Sequence, residues 1–369
     1  MISMEVDGVP FTTFKKINVS RSMDEATGKF DFTATAAEAK AFPIRRGASV
    51  RIVSNKEAIM TGWVESISPS YSTTDHELQI QGRGKGSDLV DSTLSAGSIE
   101  VQPPATLVDV AQQVIAFLGV DMKVLTDLPP DAFQPYTAEE IVSVEAGQGA
   151  FEFLEKYARK RQVLISENGD GDMLLLRASG VEMNYSLINT LNNGNNTVLD
   201  ASSTYNDADR FGQYSVVSQS NLSGLNNFED QDMDDTVNSE GITVFDNEIR
   251  KSRVLYLVAE QSSNSEQSQL RAQWEANIRK ARSRVYSATV EGIGLPDTGE
   301  PFKVDRLLFV NDYFADINDF MLVKSISMSV EVGGSTTKFD MMEKDAFTLQ
   351  LNEKKIDKKK KKDGGFQLL

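Results

Sequence analysis

The sequence predicts a mainly β protein with α+β parts, in which two antiparallel β-barrel domains are combined with smaller mixed α/β domains. Both halves carry short runs rich in Val, Ile, Phe and Thr between turn formers, a pattern typical of barrels. A pentapeptide also recurs, because Val64-Glu65-Ser66-Ile67-Ser68 matches Val323-Lys324-Ser325-Ile326-Ser327 at four of five positions. A polar turn and an alternating strand follow each copy. The echo therefore predicts two related barrels.

The first barrel is assigned to residues 1–92. Its predicted strands are FKKINVSR, KFDFTAT, SVRIVS, AIMTGWVESIS and HELQIQG. Alternation of polar and apolar residues is clearest in the last of these and places Leu78 and Ile80 on one buried face.

A mixed α/β domain is expected over residues 93–185. Pro103-Pro104 precedes a predicted helix that Gly119 is placed to end, with an apolar stripe of Leu107, Ala111, Val114, Ile115 and Leu118. Its spacing is that of a core-facing helix.

A second helix is predicted from about 148 to 161, with an inner stripe of Phe151, Leu154 and Tyr157 or Ala158. The segments QVLIS and MLLLRA then form a predicted hairpin, since Asn168-Gly169 readily takes the positive φ angles of a tight turn.

The second barrel is assigned to residues 186–350, with an inserted loop and helix segment at about 226–284. Between Leu187 and Asn226 the one strand candidate is GQYSVVSQS. No Lys or Arg lies between Arg210 and Arg250, which predicts a solvated, mobile acidic loop.

A long helix from about 265 to 284 follows, with Ser263 and Glu266 at capping-box spacing and an apolar face of Leu270, Trp274, Ile278 or Ala281, and Val285. The closing strands are SRVYSATVEG, DRLLFVND, FMLVKSISMSV and TTKFDMME. Residues 351–369 are assigned as a Lys-rich C-terminal tail.

Composition excludes several kinds of chemistry. The chain has no cysteine and one histidine, so thiolate sites are excluded and a catalytic triad would depend on His76 alone. A net charge of -16 argues against specific nucleic-acid binding, because such a surface repels phosphates. No apolar run reaches the roughly 20 residues of a membrane span, and no signal peptide is recognisable. We therefore expect that the protein is made in a cytoplasm and does not insert into a membrane.

Five motifs are candidate sites, and none predicts a catalytic, cofactor or metal site. The stretch from Gly82 to Ser87 lacks the spacing of a phosphate loop, and a flexible strand exit is the favoured interpretation. His76 is read as a surface strand residue. The Asp230-Asp232-Asp234 and Asn168-Asp170-Asp172 series have the opening spacing of calcium loops but lack the later ligands. The lysine run at 358–362 is read as a solvated tail.

Several segments occur in a characteristic order along nearly the whole chain: MTGWVESISPSY, GAFEFLEKYARKR, DADRFGQYSVVSQS and RAQWEANIRKARSR. The most specific piece is Gln81-Gly82-Arg83 followed by Asp88-Leu89-Val90-Asp91. This order resembles the Mu-like phage tail baseplate hub proteins, which lie beneath the tail tube of contractile-tailed phages. The Lys-rich C-terminal end has no place in this pattern.

The resemblance implies a non-enzymatic structural hub in the virion tail baseplate, assembled in the host cytoplasm. It implies a homotrimer whose two tail-tube-like barrels per chain make a ring of six similar domains, joining a sixfold tube to a threefold central spike. The implied partners are the tail tube or a tube-initiator protein, the central spike and, further out, tape measure and baseplate wedge proteins.

Two alternatives stay open. One is a tail-associated cell-wall or polysaccharide hydrolase using a carboxylate pair, although the sequence singles out no pair among its 54 acidic residues. The other is a tube-end protein of a related secretion or bacteriocin particle, which shares the fold and differs in setting.

Overall fold

The structure, a computed structural model, describes residues 2–11, 14–35, 44–73, 76–99, 101–137, 143–191, 195–217, 242–258 and 265–344. Three features lie outside these ranges: the acidic run at 229–240, Ser263 of the predicted capping pair and the C-terminal tail. The side chain of Glu266, the other member of that pair, is not described. No helix within the described ranges is both long and apolar enough to cross a membrane.

Seven strands open the chain: β1 (Ile2–Val6), β2 (Val9–Phe11), β3 (Phe14–Ser22), β4 (Lys29–Thr35), β5 (Ser49–Ser54), β6 (Glu57–Tyr71) and β7 (His76–Gly84). The five predicted strands are confirmed as β3 to β7. Leu78 and Ile80 are 5% and 0% exposed, so the alternation in β7 identified the buried face correctly.

A mixed α/β part follows, made of α1 (Ser87–Asp91), α2 (Leu107–Leu118), β8 (Val124–Leu125), a 3-10 helix (Pro130–Phe133), α3 (Ala150–Lys160), β9 (Leu164–Glu167) and β10 (Met173–Leu176). A capping box of Thr106 and Asp109 begins α2, and Gly119 ends it with a φ of 69°. Helices α2 and α3 cover a sheet with strand order β8-β10-β9, and this mixed part has its own apolar core.

Two local predictions in this part are wrong in detail. The inner stripe predicted for α3 is confirmed at Leu154, Tyr157 and Ala158. It is wrong at Phe151, which packs at the edge of the core, whereas Phe153 is fully buried. In the hairpin, Gly171 takes the positive φ of 82°, and Asn168 instead accepts a hydrogen bond from the Asp172 N–H at 2.8 Å.

The rest of the chain contains β11 (Glu182–Asn189), β12 (Val198–Tyr205), β13 (Gln213–Val217), β14 (Ile242–Phe245), β15 (Val254–Val258), α4 (Ser265–Arg282), β16 (Arg284–Glu291), β17 (Leu307–Asp312), β18 (Ile317–Glu331) and β19 (Gly334–Glu343). β13 lies before residue 226 and forms a separate sheet of order β14-β13-β15, so the excursion between β12 and β16 begins at residue 206. The sequence reading missed β11 and β12. Most residues of β12 are exposed, so it lacks the apolar alternation that marks a strand.

One 13-stranded sheet runs through both ends of the chain, in the order β12-β16-β19-β18-β3-β4-β7-β6-β5-β1-β2, with β17 and β11 attached beside β18. A single apolar core lies against it and includes Trp274 and Ile278 of α4. The prediction of a mainly β architecture with smaller mixed α/β parts is confirmed.

Candidate assembly surface

The two β regions repeat each other strand by strand. β6 and β18 each have 15 residues, and each carries a bulge at the same place, between Val64 and Ser66 in one and between Val323 and Ser325 in the other. Beyond the bulge, Ile67 pairs with Ile80 on β7, and Ile326 pairs with Phe339 on β19. The echo seen in the sequence is therefore an equivalence of register.

The partner strands obey the same equivalence. β4 pairs with β7 as β16 pairs with β19, and β3 pairs with β4 as β12 pairs with β16. A second bulge falls at Lys15 in β3 and at Leu199 in β12. Four strands and two bulges in the same order make two copies of one unit.

The two units are joined edge to edge by β18 and β3. Their antiparallel pairing runs from Ser325 opposite Ser22 to Glu331 opposite Lys16, so the sheet passes from one unit to the next without a break. At one end the Met23 N–H donates to the Lys324 carbonyl at 2.9 Å, and the Lys324 ammonium lies 3.1 Å from Asp24. This joint is the observed contact between two neighbouring units.

The outer face of the joined sheet is polar, and several of its charges lie in ion pairs. Lys16 lies 4.0 Å from Glu331 across the joint, and Lys338 lies 4.0 Å from Asp340. Arg83 contacts both Glu65 and Asp91. These hydrogen bonds raise the pKa of Arg83, against burial, and lower the pKa of Asp91. A face built in this way presents polar groups without a strong field of either sign.

A buried carboxylate ties the mixed α/β part to the first unit. Glu167 on β9 is 4% exposed, and its side chain accepts hydrogen bonds from the N–H groups of Gly28 at 3.2 Å and Gly86 at 3.3 Å. A Cβ on Gly84 would lie 2.1 Å from the same carboxylate, so a larger residue there would have to displace Glu167. Burial raises the pKa of Glu167 to about 7, although these donors and the charge of Arg21 lower it.

A second buried charge anchors the segment between β12 and β16. Arg210 is 2% exposed, and its guanidinium lies 2.7–2.8 Å from carboxylates of Asp207, Asp246 and Glu248. Although burial raises the pKa of Glu248, hydrogen bonds from Arg210 and Lys280 hold it at about 2. Asp246 and Glu248 were expected in a solvated loop, and they do follow β14 in a turn with Glu248 exposed. The expectation fails at Asp246, whose side chain is buried against Arg210.

Three of the candidates lie in the described residues, and two of them meet, because a Cβ on Gly171 of the Asn168–Asp172 loop would lie 2.8 Å from the Lys85 side chain of the glycine-rich stretch. His76 begins β7 and stacks on Tyr71 with ring centroids 6.2 Å apart. Asp170 pairs with Arg51, and Asp172 accepts from the Lys123 N–H. The glycine-rich stretch does hold an anion through Gly86, but that anion is the chain's own Glu167.

Sequence reasoning missed Glu167 and Arg210. Glu167 lies 139 residues from Gly28, and no local pattern links such distant positions. The signal that was present is the run of glycines itself, since close backbone approach to an anion requires them.

Comparison with known proteins identifies the first unit and the mixed α/β part. Residues 1–84 match the family model of the Mu phage baseplate assembly protein GpP-like N-terminal domain, and residues 86–177 match the second domain of the baseplate hub protein gp44-like family. Over these two domains the chain is similar to the Mu-like baseplate hub proteins. The resemblance drawn from the sequence is thus confirmed, and the hub is a structural component of a phage tail baseplate.

Full-length relatives agree with this assignment. The hub is 22% identical to baseplate hub protein gp44 of Escherichia phage Mu over 98% of its own length and 92% of that protein. It is 26% identical to the 43 kDa tail protein of prophage MuSo2 from Shewanella oneidensis, with a TM-score of 0.78, 94% of this chain covered and 98% of that one. A tail protein from Neisseria meningitidis MC58 shares the fold at 17% identity, with a TM-score of 0.74 and coverage of 93% and 96%.

Proposed function

We propose that three copies of this hub form a closed ring in which six similar barrel units connect a sixfold tail tube to a threefold central spike. The observation that carries this proposal is the repeat, since one chain holds two equivalent units joined edge to edge by β18 and β3. Three such chains give six units around one axis while keeping threefold symmetry below.

The domain division that goes with this proposal starts from the one expected from the sequence, with units at 1–92 and 186–350, a mixed part at 93–185 and a tail at 351–369. It is shifted at three places, because α1 packs in the mixed part, β11 pairs in the sheet of the second unit, and the insertion begins at residue 206. The mixed part and the insertion are proposed to face the spike. The family model boundary between residues 84 and 86 lies before α1, whereas the expected division at residue 92 lies after it.

The polar outer face of the sheet is proposed to line the channel of the ring. Local pairing of Lys16, Arg83 and Lys338 with acids supports passage of DNA without retention, because free cations there would bind phosphates.

The proposed partners are the tail tube or a tube-initiator protein above, and the central spike below. Tape measure and wedge proteins are proposed as further contacts, and assembly in the host cytoplasm is proposed with them. The hub is proposed to act without catalysis, so the purified protein should give no clearing zone on a murein zymogram. A clearing zone would instead favour the hydrolase alternative.

The mass of the wild-type protein in solution tests the ring. Multi-angle light scattering at micromolar concentration is expected to give three times the 40.7 kDa of one chain. A monomer under these conditions and in reconstituted baseplates would contradict the proposal.

A further inference from the structure

Two edges of the repeated sheet remain open in a single chain. β12 is hydrogen-bonded on one side to β16, and beyond Val64 the strand β6 is hydrogen-bonded only to β7. Within the described residues, neither edge has a strand partner on its other side. These two edges lie at opposite ends of the joined pair of units.

Their counterparts in the repeat are the two strands of the internal joint. β6 corresponds to β18 and β12 corresponds to β3, and β18 is paired with β3. The exposure of the side chains reflects this difference. Ile326, inside the joint, is 2% exposed, whereas its equivalent Ile67 is only partly buried. Tyr205, the equivalent of Arg21, is 58% exposed.

We infer that Ser66–Tyr71 of one copy pairs antiparallel with β12 of the next copy, in the register of the β18–β3 joint. The equivalences place Ile67 opposite Tyr205, Ser68 opposite Thr204 and Tyr71 opposite Ala201. The inference rests on the proposed ring and names the surface that closes it. The occupant is a second copy because the complementary edge occurs on this chain and is already seen in contact with its equivalent.

The character of the contact follows from the template. It is head-to-tail, so each copy uses two different edges, and such a contact closes into a ring only if its rotation allows. Pro69 has no N–H, so this joint has one backbone donor fewer than the internal one. Proline at an open edge also limits pairing with unrelated strands.

Disulfide trapping can test the register because the chain has no cysteine. In an antiparallel pair of strands, opposite residues alternate between hydrogen-bonded and non-hydrogen-bonded pairs. The Met23 N–H donates to the Lys324 carbonyl, which sets the phase of this alternation at the joint. Ile326–Arg21 and Met328–Val19 are therefore hydrogen-bonded pairs, and Ser327–Ser20 between them is a non-hydrogen-bonded pair. Pairs of that second kind have the shorter Cα separation, about 4.5 Å, which suits a disulfide. The equivalent pair between copies is Ser68 with Thr204.

The experiment uses the full chain carrying S68C and T204C, oxidised and run on a denaturing gel without reductant. We expect a covalent ladder that ends at the trimer. The matched control S20C with S327C should cross-link within one chain and add no mass. The off-register pair S68C with S202C should give about tenfold less product, because a diagonal pair about 7–8 Å apart exceeds disulfide reach.

A mixture of the single variants S68C and T204C supplies a second measurement, in which only mixed dimers are expected. Wild-type trimers combined with no cross-link, or with a stronger off-register cross-link, would overturn the pairing while leaving the ring intact. Efficient in-register cross-linking into a ladder that runs past the trimer would support the pairing and contradict the ring. A monomeric wild type without cross-links would overturn both.

Discussion

The two barrel units differ mainly in what lies between their first two equivalent strands. In the first unit β3 passes to β4 through residues 23–28, whereas in the second β12 passes to β16 through residues 206–283. That excursion holds a three-stranded sheet and α4, yet the strand pairings and both bulges are unchanged. The comparison shows that the sheet register is the conserved property of the unit, and that insertions are accommodated where a strand leaves it.

The largest expected effect distinguishes Ile326, which lies inside the β18–β3 joint, from Ile67, which lies at the open edge of β6. Ile326→Asp places a charge in a site that is 2% exposed and should reduce the free energy of unfolding by several kcal/mol, on the order of 4. Ile67→Asp should cost about 1–2 kcal/mol in the isolated chain, because water reaches its edge. Urea denaturation of each variant measures both.

The matched control is Ser327→Asp, which adds the same charge on the exposed face beside Ile326 and should change stability by less than about 0.5 kcal/mol. Equal losses for Ile326→Asp and Ile67→Asp would show that the two edges are equally covered.

The next effect should be confined to the excursion of the second unit. Arg210→Met leaves the buried Asp246 carboxylate without its cation, at a cost of about 3 kcal/mol, while Glu248 keeps its ion pair with Lys280. Hydrogen exchange should accelerate over β13 to β15, while β3 and β4 remain protected. Arg250→Met, at an exposed position, is the control. Uniform loss of protection would mean that the excursion and the sheet unfold together.

The third effect is a pH dependence at the contact between the first unit and the mixed part. The pKa of Glu167 rises from 4.5 to about 7 on folding, so the folded protein binds more protons between these values. Stability should therefore fall as pH rises through this window, by on the order of 2–3 kcal/mol. Melting temperatures from pH 5 to pH 8 measure it.

Glu167→Gln should flatten that profile, whereas Glu152→Gln, on an exposed turn of α3, should leave it unchanged. Burial also raises the pKa of Asp305 to about 6, so a residual slope of the same sign is expected in every variant. An identical slope with and without Glu167 would contradict the assignment.

The smallest expected effect concerns the polar face shared by both units. A chain ending at residue 352 retains 31 basic and 51 acidic residues and should show no salt-sensitive DNA binding in a gel shift. The full chain, with seven lysines after residue 352, is the comparison. Tight binding by the shortened chain would contradict a channel that releases DNA.

Much of the fold was predictable because its strands are buried on one face. The alternation in β7 and the stripe of α2 were visible in the sequence, and the repeat was detected from five residues around Ile67 and Ile326. Strand β12 could not be predicted, because an edge strand that contains Ser202, Ser203 and Thr204 lacks the alternation of apolar residues. The joint itself depends on strands about 300 residues apart, which no local pattern encodes.

That separation has a consequence for synthesis. A ribosome adds about 5–20 residues per second, so roughly 15–60 s pass between the emergence of β3 and that of β18. During this interval the first unit has formed its local hairpins while the edge of β3 is bare and able to pair with a neighbouring nascent chain. Lys15 and Lys16 on that strand discourage such pairing until the chain's own C-terminal strand arrives.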